Sequence, residues 1–210
     1  MTISDRSFVM ANTNAPFGFW QRQGTGSSPT YEQIEYSITS TTANIFFGDP
    51  VARLSDGSVA GITTSALPGT VPLAGVFIGC RYLSVAQKRT VWSNYWPGSD
   101  GTANTIVAYV VTDPNAQFIA QTGNSTTTGV VAANIGSNVQ FAYGTGTTAN
   151  GISGAYIDIG VTPAVTSTLP FRVISLVTTP PGANGTASGA YNYAIVAFNN
   201  VETKNLTAPF

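Results

Sequence analysis

Turn signals interrupt this chain at short, fairly regular intervals, and no stretch between two of them carries a convincing helical period. Gly48-Asp49-Pro50, Ser55-Asp56-Gly57-Ser58, Pro68-Gly69, Pro97-Gly98, Asp113-Pro114-Asn115 and Pro180-Pro181-Gly182 are the clearest breaks. Between them lie runs of β-branched and aromatic residues at 45–47, 51–54, 105–111, 171–177 and 191–198. Ile34, Tyr36 and Ile38 share one face of a half-buried strand, and Tyr156 and Asp158 face away from Ile157 and Ile159. Residues 73–82 are the most apolar run and are expected in the core, with a further strand over 85–92. Residues 117–121 are expected to pair back onto 105–111. Short strands are expected at Val130-Val131 and 139–143, and a single helical turn near Ala132. The implied fold is all-β: a sandwich, jelly roll or barrel of short antiparallel strands.

Two regions depart from that pattern. Residues 1–30 have no period of either kind yet hold Phe17, Phe19 and Trp20 within four positions, which reads as an extended arm ordered by contact. Such an arm is expected to be a tether separable from a β domain spanning 31–210. Within that domain the Gly/Thr-rich stretch 131–155 is expected as a protruding loop or subdomain, because Gly and Thr at that density cannot form a core helix.

At 210 residues the chain can bury about 70% of its unfolded surface, so it needs neither metal nor disulfide to fold. Charged residues make up 8%, against roughly 25% in ordinary soluble domains. A surface of Ser, Thr, Asn and Gly sacrifices little hydration when pressed against another protein, although a polar coat on an ordinary β domain has the same composition. The formal net charge is -1 and the only local basic cluster is Arg81, Lys88 and Arg89. That excludes a nucleic-acid footprint, which needs concentrated positive charge. Neither a membrane-spanning run nor a basic-then-apolar leader pattern occurs, so no membrane partner or signal peptide is expected. Sequons at Asn124, Asn184 and Asn205 carry little weight in so Thr-rich a chain.

The inventory of reactive side chains is short. There is no histidine, so no Ser-His-Asp triad, Cys-His pair or imidazole metal site can form. Cys80 is the single cysteine and reads as a small buried hydrophobe. Catalysis would rest on nine carboxylates, and the nearest pair, Glu32 and Glu35, falls on opposite faces of a strand. Gly144-Thr145-Gly146 lacks the helix and Lys of a phosphate loop. Asp56-Gly57 and Asp100-Gly101 lack the flanking carboxylates of a calcium loop. No catalytic residue, cofactor or metal is assigned.

Asn14-Ala15-Pro16-Phe17-Gly18-Phe19, Phe47-Gly48-Asp49-Pro50-Val51, the run from Leu73 through Tyr82, Asn94-Tyr95-Trp96-Pro97 and Asp113-Pro114-Asn115 follow one another in an order that resembles a family of tailed-phage head proteins of the cement or decoration type. The resemblance covers roughly residues 12–120 and fades through the Gly/Thr-rich half. It implies a structural virion protein, made in the host cytoplasm, that binds the outside of the phage head. Such proteins clamp neighbouring capsomers, often as trimers, and their partners are the major capsid protein and copies of themselves. Phe17, Phe19 and Trp20 are then expected as arm anchors. Many relatives carry Arg after Phe-Gly-Phe, whereas this chain has Trp20 with Arg22 two residues on. Trp92, Tyr95 and Trp96 are expected as contact or packing aromatics.

Another class fits the same aromatics and Asn-rich loops: a carbohydrate-binding or receptor-binding β module in which exposed rings stack on sugars. A glycosidase built on Asp or Glu is a third reading, and it requires two carboxylates within about 10 Å of one another across a cleft.

Overall fold

The computed structural model describes residues 12–25, 32–39, 43–62, 72–178 and 189–204. Twelve strands are assigned among them: β1 (Trp20–Gln23), β2 (Gln33–Ser37), β3 (Pro50–Arg53), β4 (Val59–Gly61), β5 (Leu73–Leu83), β6 (Thr90–Ser93), β7 (Val107–Val111), β8 (Gln117–Gly123), β9 (Asn138–Ala142), β10 (Tyr156–Asp158), β11 (Phe171–Leu176) and β12 (Tyr193–Phe198). Among the described residues the helical content is two single 3-10 turns, Ala132–Asn134 and Glu202–Lys204. The protein is therefore all-β, as the punctuation of the sequence requires.

One sheet closes on itself. β8 pairs with β10, β10 with β9, β9 with β11, β11 with β12, and β12 returns to β8. All of these pairings are antiparallel except the short parallel contact of β10 with β8. β1 shares an edge of β8 with β10, using Gln117–Ile119 while β10 uses Thr122 and Gly123. Closure removes exposed strand edges, and the barrel interior is filled with phenylalanine. Phe171 stacks on Phe19 at 4.4 Å between ring centroids and on Phe198 at 5.7 Å, while Phe118 and Phe141 meet it edge-on. All five rings are buried.

The second sheet runs β2-β7-β5-β3-β4, with β6 on the far end of β5. β5 belongs to two cores at once. Leu73, Val76 and Ile78 face the barrel core. Ala74, Phe77, Cys80 and Tyr82 face a second cluster, with Val51, Val110, Ile45, Trp96 and Ile106. A strand apolar on both faces reads as a continuous hydrophobic run, which is why 73–82 stands out in the sequence.

Several expectations change. The expected arm, where described, belongs to the body: Trp20–Gln23 is a strand of the barrel sheet and Phe19 is 1% exposed. The sequence hides this because β1 is only four residues long and its alternation is lost among Asn, Gly and Pro. Residues 1–11 and 26–30 of the arm lie outside the described residues. The stretch 131–155 supplies β9 to the barrel and buries Phe141. Val130 joins no strand. The Asn192 side chain accepts from its N–H at 3.1 Å and donates to its carbonyl at 2.7 Å, replacing ladder bonds. The strand expected over 85–92 shortens to Thr90–Ser93, because a turn with Lys88 at φ 55° precedes it. The Ser84 hydroxyl pins that turn by accepting from Gln87 N–H and donating to Asp100.

A buried ring at the centre of the barrel core costs far more to remove than an outward one. Phe19→Ala is expected to destabilise the protein by about 3–5 kcal/mol in urea unfolding, and Trp20→Ala by about 1 kcal/mol or less. A separable arm would instead leave both variants as stable as the parent.

Candidate functional site

A dense polar construction is built around the segment Phe46–Pro50. Its Asp49 side chain is 4% exposed and accepts from Phe46 N–H at 2.7 Å with one oxygen and from the Ser153 hydroxyl at 2.5 Å with the other. The backbone around it reaches three other parts of the chain. Phe19 N–H donates to Gly48 O at 2.9 Å, Gly48 N–H to Phe77 O at 2.8 Å, Phe77 N–H to Asp49 O at 2.8 Å, and Ser153 N–H to Phe47 O at 3.0 Å. Gly18 and Gly48 cross so closely that a Cβ on Gly18 would lie 2.7 Å from Ser153 Cβ and 2.9 Å from Gly48 O. Both adopt positive φ, 80° and 91°, so glycine is needed at both for two reasons. Tyr143 closes the construction. Its hydroxyl donates to Pro50 O and accepts from Ile62 N–H at 3.0 Å.

A cavity of about 210 Å³ lies beside this hub, lined by Asn44, Phe46, Asp49, Gly61, Tyr143 and Gly144. Burial pushes the Asp49 carboxyl up to about 6, against the pull of its hydrogen bonds from Ser153 and Phe46, and burial also pushes the Tyr143 hydroxyl well above its ordinary value. A carboxyl near neutrality in a cavity is the profile of a catalytic acid. Here both oxygens already serve backbone and Ser153 donors, so the carboxyl's evident work is to hold its own loop against the loop that carries Ser153. Cys80 is equally occupied. It is buried, donates to Tyr95 O at 3.3 Å, and burial pushes its thiol up to about 12, which suppresses the nucleophilic thiolate. Among the described residues no group of three His, Cys, Asp or Glu could hold a metal ion.

The seven aromatic and basic residues singled out from the sequence separate into three settings. Phe19 and Trp96 are packing residues, 1% and 0% exposed, and Trp96 meets Tyr82 edge-on at 5.2 Å. Phe17, Trp20 and Arg22 come together on the outside of the barrel. Trp20 is 42% exposed and braced edge-on by Phe17 at 5.8 Å and Phe47 at 5.5 Å, while Phe17 stacks on Tyr193 at 5.7 Å. Arg22, next but one on β1, borders a groove of about 460 Å³ with Ile119, Leu176 and Ile195. Ile119 is also the cross-strand partner of Trp20, so the aromatic patch and the groove are continuous.

Trp92 and Tyr95 lie on the other sheet. Tyr95 is half-buried and stacks on Phe46 at 5.7 Å, beside the hub. Trp92 is 68% exposed. It stands opposite Arg81 on the half of the second sheet that the barrel leaves uncovered, with Tyr109 opposite Gly79 and Glu35 opposite Tyr109. The sequence signals the aromatics but not this partition, which depends on strand register.

No protein-family model, no curated protein and no solved structure matches the chain.

The hub makes stability depend on pH in a definite direction. A carboxyl whose folded pKa is raised to about 6 from 3.8 contributes stability that is fully present below the unfolded value and lost as pH rises through 6. Burial raises Glu202 in the same sense, whereas hydrogen bonds from Ser58 lower Asp56 and those from Ser84 lower Asp100, and these two act below the same window. From pH 4 to 7 the Asp49 contribution is on the order of 3 kcal/mol. Asp49→Asn is expected to flatten the fall in urea midpoint across that range. An unchanged slope would remove Asp49 as its source.

Proposed function

We propose that this protein is a structural component of a tailed-phage head, which binds the outer surface of the capsid and clamps neighbouring capsomers. The observation that carries the reading is the continuous Phe17-Trp20-Arg22 surface on a rigid barrel. It offers a large aromatic anchor, a single cation and an adjoining groove in which Ile119, Leu176 and Ile195 alternate with the hydroxyls of Ser175 and Thr178. The anchor is held in place before docking by Phe17 and Phe47, so little side-chain entropy is lost on binding. A partner segment of the major capsid protein fits that groove with apolar side chains and one carboxylate or carbonyl for Arg22.

The composition supports the same reading. With 8% charged residues and a net charge of -1, copies of the chain meet with little like-charge penalty. We infer a homotrimer, the arrangement that suits three-fold positions of an icosahedral shell, with neither nucleic acid nor membrane among its partners. Among the described residues no helix is long and apolar enough to cross a membrane. The work is mechanical and needs no cofactor: a closed barrel resists deformation, and several modest interfaces in one trimer add through avidity. The motif resemblance spanning roughly 12–120 supports the assignment to the phage head.

Co-sedimentation with capsids lacking the protein tests this. Wild-type protein is expected to saturate the particles and to sediment as a trimer when free. Trp20→Ala is expected to weaken capsid binding by about 30-fold, equivalent to about 2 kcal/mol at an interface centre, and Arg22→Ala by about 5- to 10-fold. Capsid binding unaffected by both substitutions, or a protein monomeric at all concentrations and on particles, contradicts the reading.

A further inference from the structure

The barrel covers only part of the second sheet. Leu73, Val76, Ile78 and Val111 pack toward the barrel core, whereas farther along the same strands half-buried Arg81 and Tyr109 lie on the part of that face the barrel leaves open, with buried Gly79 beneath them. Gly79 leaves a dent in that face. A Cβ there would press on Ser93 O at 3.0 Å, at the turn after β6. The result is an open depression of about 370 Å³, lined by Gln33, Gly79, Trp92, Ser93, Asn94 and Tyr109 among others.

We propose that this depression is a binding site for a neutral saccharide, an extended β-linked hexopyranose chain. Three features select that class. The first is the exposed Trp92 ring, 68% exposed at the rim of a dent whose floor is glycine backbone. A flat aromatic face beside a flat floor suits a sugar ring, whose axial C–H groups pack on the π face while its equatorial hydroxyls point sideways. The second is the polar fringe. Gln33 is exposed, the Asn94 amide is fixed by donating to Asn150 O at 2.6 Å, and the Ser93 hydroxyl accepts from Tyr95 N–H at 3.2 Å while keeping its own proton to donate. Amides and hydroxyls of this kind pair with sugar hydroxyls without the desolvation cost of an ion.

The third feature is charge. Two ions adjoin the depression, Arg81 and Glu35, and they pair with each other at 3.4 Å. The pair is exposed and contributes little to stability, but it cancels the local field. A paired, field-cancelled rim offers an anionic sugar no unopposed cation, whereas a neutral sugar needs none. An open sheet face also accommodates a chain that continues beyond the dent at both ends, which an enclosed pocket would not.

This site is separate from the Trp20 surface and does not depend on capsid docking. On a docked particle it would tether the head to polysaccharide.

Titration of the full-length protein with cellohexaose tests the proposal. Amide proton–nitrogen correlation spectra are expected to show saturable shifts confined to the neighbourhoods of Gly79, Trp92–Asn94 and Tyr109, with Kd on the order of 1 mM or tighter. Trp92→Ala is expected to weaken binding at least about 10-fold, Trp92→Phe only about 2- to 3-fold because a ring remains, and Trp20→Ala not at all. Because Trp92 is largely solvent-exposed, these variants should fold, and unchanged spectra elsewhere would verify that. No shifts up to about 10 mM sugar, shifts mapping to another surface, or binding that survives Trp92→Ala would each overturn the assignment. Loss of capsid binding in Trp20→Ala with sugar binding intact separates the fate of this proposal from that of the docking surface.

Discussion

The architecture depends on one buried carboxyl. Asp49 takes its two hydrogen bonds from Phe46 and Ser153, fixing the loop between β2 and β3 against the loop that precedes β10. The same five-residue segment passes backbone bonds to Phe19 ahead of β1 and to Phe77 in β5. The barrel and the second sheet therefore share a fixed point, and β5 can serve both cores because its register is set there. A buried carboxyl is a costly choice, since burial raises its pKa to about 6 even against the hydrogen bonds from Ser153 and Phe46. An apolar residue could fill the space but could not satisfy the Phe46 N–H and the Ser153 hydroxyl, and unpaired buried donors are costly.

Seen from the hub, the turn-and-strand motifs of residues 14–115 acquire a physical meaning. Phe17-Gly18-Phe19 and Phe47-Gly48-Asp49-Pro50 are distant in sequence and cross at the Gly18–Gly48 contact. The apolar run through Phe77 exchanges two backbone bonds with the second motif. Trp96 of Asn94-Tyr95-Trp96-Pro97 bridges Ile45, and Asp113 of Asp113-Pro114-Asn115 accepts from Thr25 N–H at 2.7 Å just after β1. These motifs are thus a signature of how the body is assembled, completed by Ser153 and Tyr143 from the Gly/Thr-rich half. The exposed residues proposed to meet partners, Trp20, Arg22 and Trp92, stand beside the motifs or outside them.

How much could be read from sequence follows the same division. The all-β class was legible because turn chemistry and β-branched runs are local signals, and the core run 73–82 because burial on both faces leaves no polar residues. Cys80 was legible as a buried hydrophobe for the same reason. The strand Trp20–Gln23 is hidden in the sequence because four residues are too few to show a period, and because exposed and buried aromatics look alike there: Phe19 and Trp20 are neighbours with opposite fates. The Asp49 hub was visible only as a turn, since its partners Ser153 and Tyr143 lie about a hundred residues away. Sorting Trp92 from Trp96 required the register of β5 with β6, which no local pattern carries.

The claim that this body decorates a phage head through its Trp20 surface is tested most directly by electron cryo-microscopy of particles assembled with and without the protein. The account predicts added density on the outside of the shell at three-fold or quasi-three-fold positions, with the β1 side of the barrel facing the major capsid protein and the Trp92 face turned to solvent. Density that is absent, internal, confined to the tail, or docked through the opposite side of the molecule would contradict it.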